Sequence, residues 1–157
     1  MKTLVIGLGN PLLCDDGVGW HVTRELRPLV EQREDVDVVD LCVGGLRLME
    51  QMIGYDRVII IDAMRTGARP GTVRCLTADA IPTQHSASAH DVNLPTALEL
   101  GHRLGADLPG RQNILLVAIE AADVETFAEH CTPSVAAAVP QAVAAVGSAL
   151  EREGTLS

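Results

Sequence analysis

The run Val58-Ile59-Ile60-Ile61 constrains the chain more than any other segment. Consecutive β-branched apolar residues leave no polar face, so a strand built from them must be covered on both sides. That is the condition of a parallel sheet held between helical layers. Leu4-Val5-Ile6-Gly7 and Ile114-Leu115-Leu116-Val117 repeat the pattern. Residues 36–41 read as a further strand, and residues 71–76 as one at the edge of the sheet. Helices are expected between them. Val18, Val22, Leu26 and Leu29 recur at helical spacing, with Pro28 marking the end of that helix. A short helix is expected over 46–53, and another opens near His90-Asp91, carries Pro95 in its first turns and runs to about residue 104. The Ala-rich segment 132–152 is predicted to be helical, capped at Thr132-Pro133 and kinked at Pro140. Residues 79–89, polar and containing Pro82, read as a loop. Strands alternating with helices predict one domain over 1–157: an α/β three-layer sandwich, with a mainly parallel twisted sheet and helices on both faces.

Composition narrows what such a domain can do. Aromatic residues make up only 2% of the chain and hydrophobic residues 47%, so the core must be assembled from Val, Leu, Ile and Ala. A net charge of -9 argues against nucleic-acid partners, whose phosphates require Lys and Arg. The cysteines Cys14, Cys42, Cys75 and Cys131 are scattered, form no C-x-x-C pair and are expected to be reduced thiols used mainly in packing. Met1-Lys2 leads into an apolar stretch over 3–8 that is too short for a signal-peptide core, and no apolar run is read as approaching a membrane span. The expectation is a soluble, cytoplasmic protein with no membrane partner.

Few residues can carry chemistry. Gly7-Leu8-Gly9-Asn10-Pro11 follows a strand, but a dinucleotide fingerprint needs a small residue where Leu12 stands, and Pro11 breaks the turn. Asp15-Asp16 before Gly17 fits either a cap at the positive end of a helix or a ligand pair. Asp62 ends an apolar strand, and the carboxyl ends of parallel strands form the ligand-binding edge, although a turn residue is equally consistent. His90 precedes a helix; His85 in the same polar stretch is its one credible substitute, and His21, His102 and His130 offer no better placement. Asp16, Asp62 and His90 all approach one edge of the expected sheet. Two carboxylates and an imidazole form a three-ligand set for a borderline divalent ion with open positions. No H-E-x-x-H signature is present.

The run from Val5 to Gly19, VIGLGNPLLCDDGVG, resembles the N-terminal signature of the hydrogenase maturation endopeptidases, roughly G-x-G-N-x-L-x-x-D-[DE]-x-x-G. The resemblance continues through Ile60-Ile61-Asp62-Ala63, Ser88-Ala89-His90 and Cys131-Thr132-Pro133, and so spans nearly the whole chain. It implies a twisted sheet flanked by helices, of the phosphorylase/hydrolase-like kind. It also implies a metal-contacting set that falls by motif on Asp16, Asp62 and His90. Where many relatives carry D-G-G-T after the second strand, this chain has Asp40-Leu41-Cys42-Val43-Gly44-Gly45, a loop that could border the substrate cleft.

The implied partner is a hydrogenase large-subunit precursor already loaded with nickel, cut once near its C-terminus. The implied metal is nickel carried by that substrate, with zinc the alternative ion. Two rival functions share features of the sequence. Peptidyl-tRNA hydrolase, an esterase, has a similar V-G-L-G-N-P start but needs a basic surface that this acidic chain lacks. A non-catalytic nickel-binding maturation chaperone would use the same three ligands.

Overall fold

The structure, a computed structural model, describes residues 1–42, 44–78 and 94–152. The apolar run forms the middle strand of a five-stranded sheet. Strands β1 (Thr3–Leu8), β2 (Val36–Leu41), β3 (Arg57–Met64), β4 (Val73–Thr77) and β5 (Ile114–Glu120) lie in the order β2-β1-β3-β5-β4. The β1–β2, β1–β3 and β3–β5 pairs are parallel, with Val5 opposite Val38 and Ile59, and Ile60 opposite Leu116. Only β4 runs antiparallel, at the edge beside β5.

Alternation along β3 divides the core in two. Ile59, Ile61 and Ala63 face the layer of α1 (Val18–Val30) and α4 (Pro133–Glu151). Val58, Ile60 and Met64 face the layer of α2 (Gly45–Gln51) and α3 (Leu94–Arg103). Each fully buried aliphatic side chain stabilises the fold by about 1.5–3 kcal/mol, which is how a chain nearly devoid of aromatics sustains two core layers. The expected three-layer α/β architecture is therefore the observed one.

Local differences have local causes. The α1 helix passes through Pro28 to Val30, because Pro28 faces solvent, where water can meet the carbonyl its ring leaves without a donor. The buried stripe consequently reads Val18, Val22, Leu26, Val30, and Leu29, expected in the core, is exposed. Pro140, where the kink is expected, lies inside α4 on its exposed side. At 19 residues and mean hydropathy 1.4, α4 is long and apolar enough to cross a membrane, contrary to the expectation that no segment was. Here it is a core helix, packed on α1 and β5 and burying Val135, Ala142 and Val146. All four cysteines are free; Cys14 and Cys131 are buried, whereas Cys42 and Cys75 are exposed and pack nothing in the core. The helix expected from His90 is described from Leu94 onward, and the loop over 79–89 lies outside the described residues.

Buried Arg57 closes the far end of the molecule. Its guanidinium donates to the carbonyls of Ala149 (3.2 Å) and Arg152 (2.6 Å) and to the Thr3 hydroxyl (3.2 Å), satisfying carbonyls that the end of α4 leaves open.

Candidate active site at the carboxyl edge of the sheet

The chain leaves β1 through Gly9, whose φ of 139° lies outside the range of ordinary side chains. A Cβ there would also stand 1.9 Å from the carbonyl oxygen of Asp16. This close return of the chain is fixed by two bonds: the Asn10 N–H donates to Asp16 Oδ2 (2.8 Å) and the Leu12 N–H to Asn10 Oδ1 (3.0 Å). Asp15 and Asp16 then lie in a 3-10 turn, Cys14–Gly17, that precedes α1. Cys14 adopts a left-handed φ of 51°, a conformation with a cost of about 1–2 kcal/mol in an L-residue.

Gly19 sets the turn against the sheet. A Cβ at this position would lie 2.4 Å from the Ile61 carbonyl oxygen and 2.8 Å from that of Leu8, so only glycine lets α1 start over the carboxyl ends of β1 and β3. The turn packs against β3 itself. Asp16 (7% exposed) and Asp62 (0% exposed) are thereby brought to the same edge.

The expected strand end at Asp62 is corrected. The β3 ladder continues to Met64, with Asp62 opposite Ala118 of β5. Its Oδ1 accepts the Ala63 N–H at 2.8 Å. By alternation its side chain shares the face of Ile60 and Met64, the layer that also contains Ala78 and Leu94. His90, four residues before Leu94, and His85 lie outside the described residues. Among the described residues no group of three His, Cys, Asp or Glu side chains is placed to hold a metal ion.

Asp15 and Asp16 have separate roles, and neither caps α1, whose N-cap is Gly17 with no side-chain bond. Asp15 is fully buried and faces away into the fold. It accepts the N–H (2.7 Å) and hydroxyl (2.8 Å) of Thr132 and the N–H groups of Ala122 (2.9 Å) and Asp123 (3.0 Å). One carboxylate thus ties the turn to the segment after β5 and to the start of α4. Thr132, the expected cap with Pro133 at the first helical position, holds the N-cap of α4 and gives its hydroxyl to Asp15. Beside this knot, burial, reinforced by the charge of Asp15, pushes the Cys131 thiol up to about 12, so it stays protonated.

Sequence reasoning missed Glu120. It ends β5 at the same edge, 2% exposed, and its carboxylate accepts the Thr66 N–H (2.9 and 3.0 Å), the Thr66 hydroxyl and the Ala68 N–H (3.1 Å), with Arg74 at 4.0 Å. The signal was available: a carboxylate at the end of an apolar run, the same feature that singles out Asp62 in the sequence. His21, half-buried on α1, has its pKa lowered, chiefly by burial and then by Arg24. Asp40, in the segment expected to border a cleft, ends in bonds to Thr23 and Arg27 (2.8 Å) that fasten β2 to α1.

Comparisons with known proteins fit this geometry. Residues 20–149 match the family model described as hydrogenase maturation protease. The chain is 27% identical to the Hydrogenase 2 maturation protease of Escherichia coli K12 over 157 residues, covering 98% of this chain and 93% of that one. It is 27% identical over 147 residues to the hydrogenase expression/formation protein HupD of Rhizobium leguminosarum bv. viciae, covering 90% and 70%. The structure of the hydrogenase maturating endopeptidase HybD from E. coli superposes with a TM-score of 0.83 at 28% identity, covering 98% and 94%. With a family model matching most of its length and this fold in common, the chain belongs to the hydrogenase maturation protease family.

Proposed function

We propose that this chain is an endopeptidase that removes the C-terminal extension of a nickel-loaded hydrogenase large-subunit precursor. The proposal is supported by membership of this family together with the close approach of Gly19 to the Ile61 and Leu8 carbonyls, which sets the turn bearing Asp16 over the carboxyl ends of β1 and β3. The nickel belongs to the substrate. Asp16 and Asp62 offer it oxygen ligands and His90 a nitrogen, a set suited to a borderline divalent ion; zinc fits the same donors. Only a loaded precursor is then held with its peptide bond at this edge. Water attacks the carbonyl carbon of that bond, the C–N bond breaks, and the amine leaves with a proton. Activation of the water falls either to one of the two carboxylates acting as base or to the metal. We place the reaction in the cytoplasm, where the free thiols remain reduced.

The test is intact-mass analysis of purified nickel-loaded precursor incubated with wild-type protein, Asp16→Asn, Asp62→Asn and His90→Ala. One cut by the wild type and none by the variants is expected. Binding of precursor with no loss of mass by any of them would replace the protease with a nickel-binding chaperone. Normal cutting by His90→Ala would remove that residue from the mechanism.

A further inference from the structure

Beside the carboxyl edge the chain places its single phenylalanine in solvent. Phe127 is 84% exposed, and Leu12 is 50% exposed. The two lie on segments joined by a single parallel bridge. Leu13 bridges Ala128, the Ala128 N–H donates to the Leu12 carbonyl (3.0 Å), and the Cys14 N–H to the Ala128 carbonyl (2.9 Å). One step back along both segments puts Leu12 and Phe127 at neighbouring register positions. Leu12 and Phe127 are exposed, whereas the bridged residues Leu13 and Ala128 are partly buried.

The segment bearing Phe127 is held in shape. Asp123 Oδ1 accepts the N–H groups of Glu125 (2.9 Å) and Thr126 (3.0 Å), and Oδ2 accepts the Thr126 hydroxyl (2.5 Å). Those bonds hold the Asp123 carboxyl down at about 2, so the turn persists across the working pH range. Asp15 anchors the base of the segment through Ala122 and Asp123. A lone exposed apolar residue needs no explanation, but a fixed apolar pair at the mouth of a site is a docking feature. It is continuous with that site, since the Leu12 N–H bonds Asn10, whose own N–H bonds the Asp16 carboxylate.

Charge selects the partner. Segment 123–130 carries Asp123, Glu125 and Glu129 and no Lys or Arg, although Arg65 lies near Asp123. Acidic residues flanking Phe127 along the chain fit an extended peptide with an apolar side chain next to a basic one. They repel an anionic lipid surface.

We infer that Leu12 and Phe127 dock the C-terminal peptide of the precursor, a few residues from the bond that is cut, and so set its affinity and register. This inference rests on the protease function proposed above.

The experiment measures initial rates of processing against concentration of nickel-loaded precursor, using the full-length chain. Leu12→Ser, Phe127→Ser and the double variant are compared with wild type and with Leu104→Ser, an exposed leucine past the end of α3. KM should rise about tenfold for Phe127→Ser and further for the double variant, since burying an aromatic anchor is worth that much. Phe127→Leu should recover most of the loss, and Leu104→Ser should stay within twofold of wild type. A photo-reactive benzophenone residue at position 127 should crosslink to the precursor tail. Unchanged KM in the double variant with an active wild type, or crosslinks only to a second copy of this chain, would overturn the dock and leave the protease function standing. A wild type that cuts no loaded precursor would remove both. Circular dichroism of each variant guards against misfolding.

Discussion

Replacing Asp15 by Ala should destabilise the fold far more than replacing its neighbour Asp16. The Asp15 carboxylate accepts four hydrogen bonds of 2.7–3.0 Å, three from backbone N–H groups and one from a hydroxyl. Bonds to a charged acceptor contribute about 1.5–3 kcal/mol each, so the gross loss is roughly 6–12 kcal/mol. Two effects reduce it. The donors on Ala122, Asp123 and Thr132 lie in partly or fully exposed residues, which water can reach once the side chain is gone. Removing a fully buried carboxylate also recovers its desolvation cost. A net loss of about 3 kcal/mol remains, which for a domain of this size lowers Tm by roughly 6–12 °C. Thr132→Val deletes only the hydroxyl bond and should cost about 1.5 kcal/mol, the low end of that range. The assay is urea unfolding of both single variants and the double variant. Coupling of at least about 0.5 kcal/mol between them is expected, because they share one bond. A loss below 1 kcal/mol for Asp15→Ala, or strict additivity, would refute the knot. Among the described residues Asp16 accepts one N–H, from Asn10, and Asp16→Ala should abolish processing at a smaller cost in stability than Asp15→Ala.

Other perturbations have equally definite outcomes. Gly19→Ala drives a Cβ to 2.4 and 2.8 Å from backbone oxygens of two strands, and chemical denaturation should show a loss of about 2 kcal/mol or more. Gly147→Ala, inside α4 with nothing within 4 Å of the added carbon, should stabilise by about 0.5–1 kcal/mol in the same assay. The single tyrosine, Tyr55, donates to Asp37 Oδ2 at 2.6 Å, and burial together with that carboxylate raises its pKa to about 12. Because its unfolded value is about 10, the unfolded chain releases this proton first. The contribution to stability is therefore complete below pH 10 and is lost as pH rises towards 12. Absorbance at 295 nm should titrate near 12 in the native protein, and a midpoint near 10 would contradict the assigned bond.

Much of this architecture was legible because apolar patterning is a local signal with a global consequence. The run at Val58 had to be central, and it is. What escaped depended on tertiary surroundings. Pro28 does not end its helix because it faces solvent, which periodicity alone does not reveal. Leu29 and Val30 are adjacent, so a small rotation of the helical stripe exchanges which one is buried. Spacing could not separate the duties of Asp15 and Asp16; their distinct partners come from Ala122, Asp123 and Thr132, more than a hundred residues away. Glu120 was overlooked although it closes a strand as Asp62 nearly does, because its donors on Thr66 and Ala68 are remote in sequence.

In the proposed function, this edge of the sheet acts on a precursor through the nickel the precursor carries. The most direct measurement follows intact mass over time for nickel-loaded and nickel-free precursor, incubated separately with equal amounts of wild-type protein. A single truncation of the loaded form and an unchanged mass for the other are expected. Equal truncation of the two would contradict the proposal.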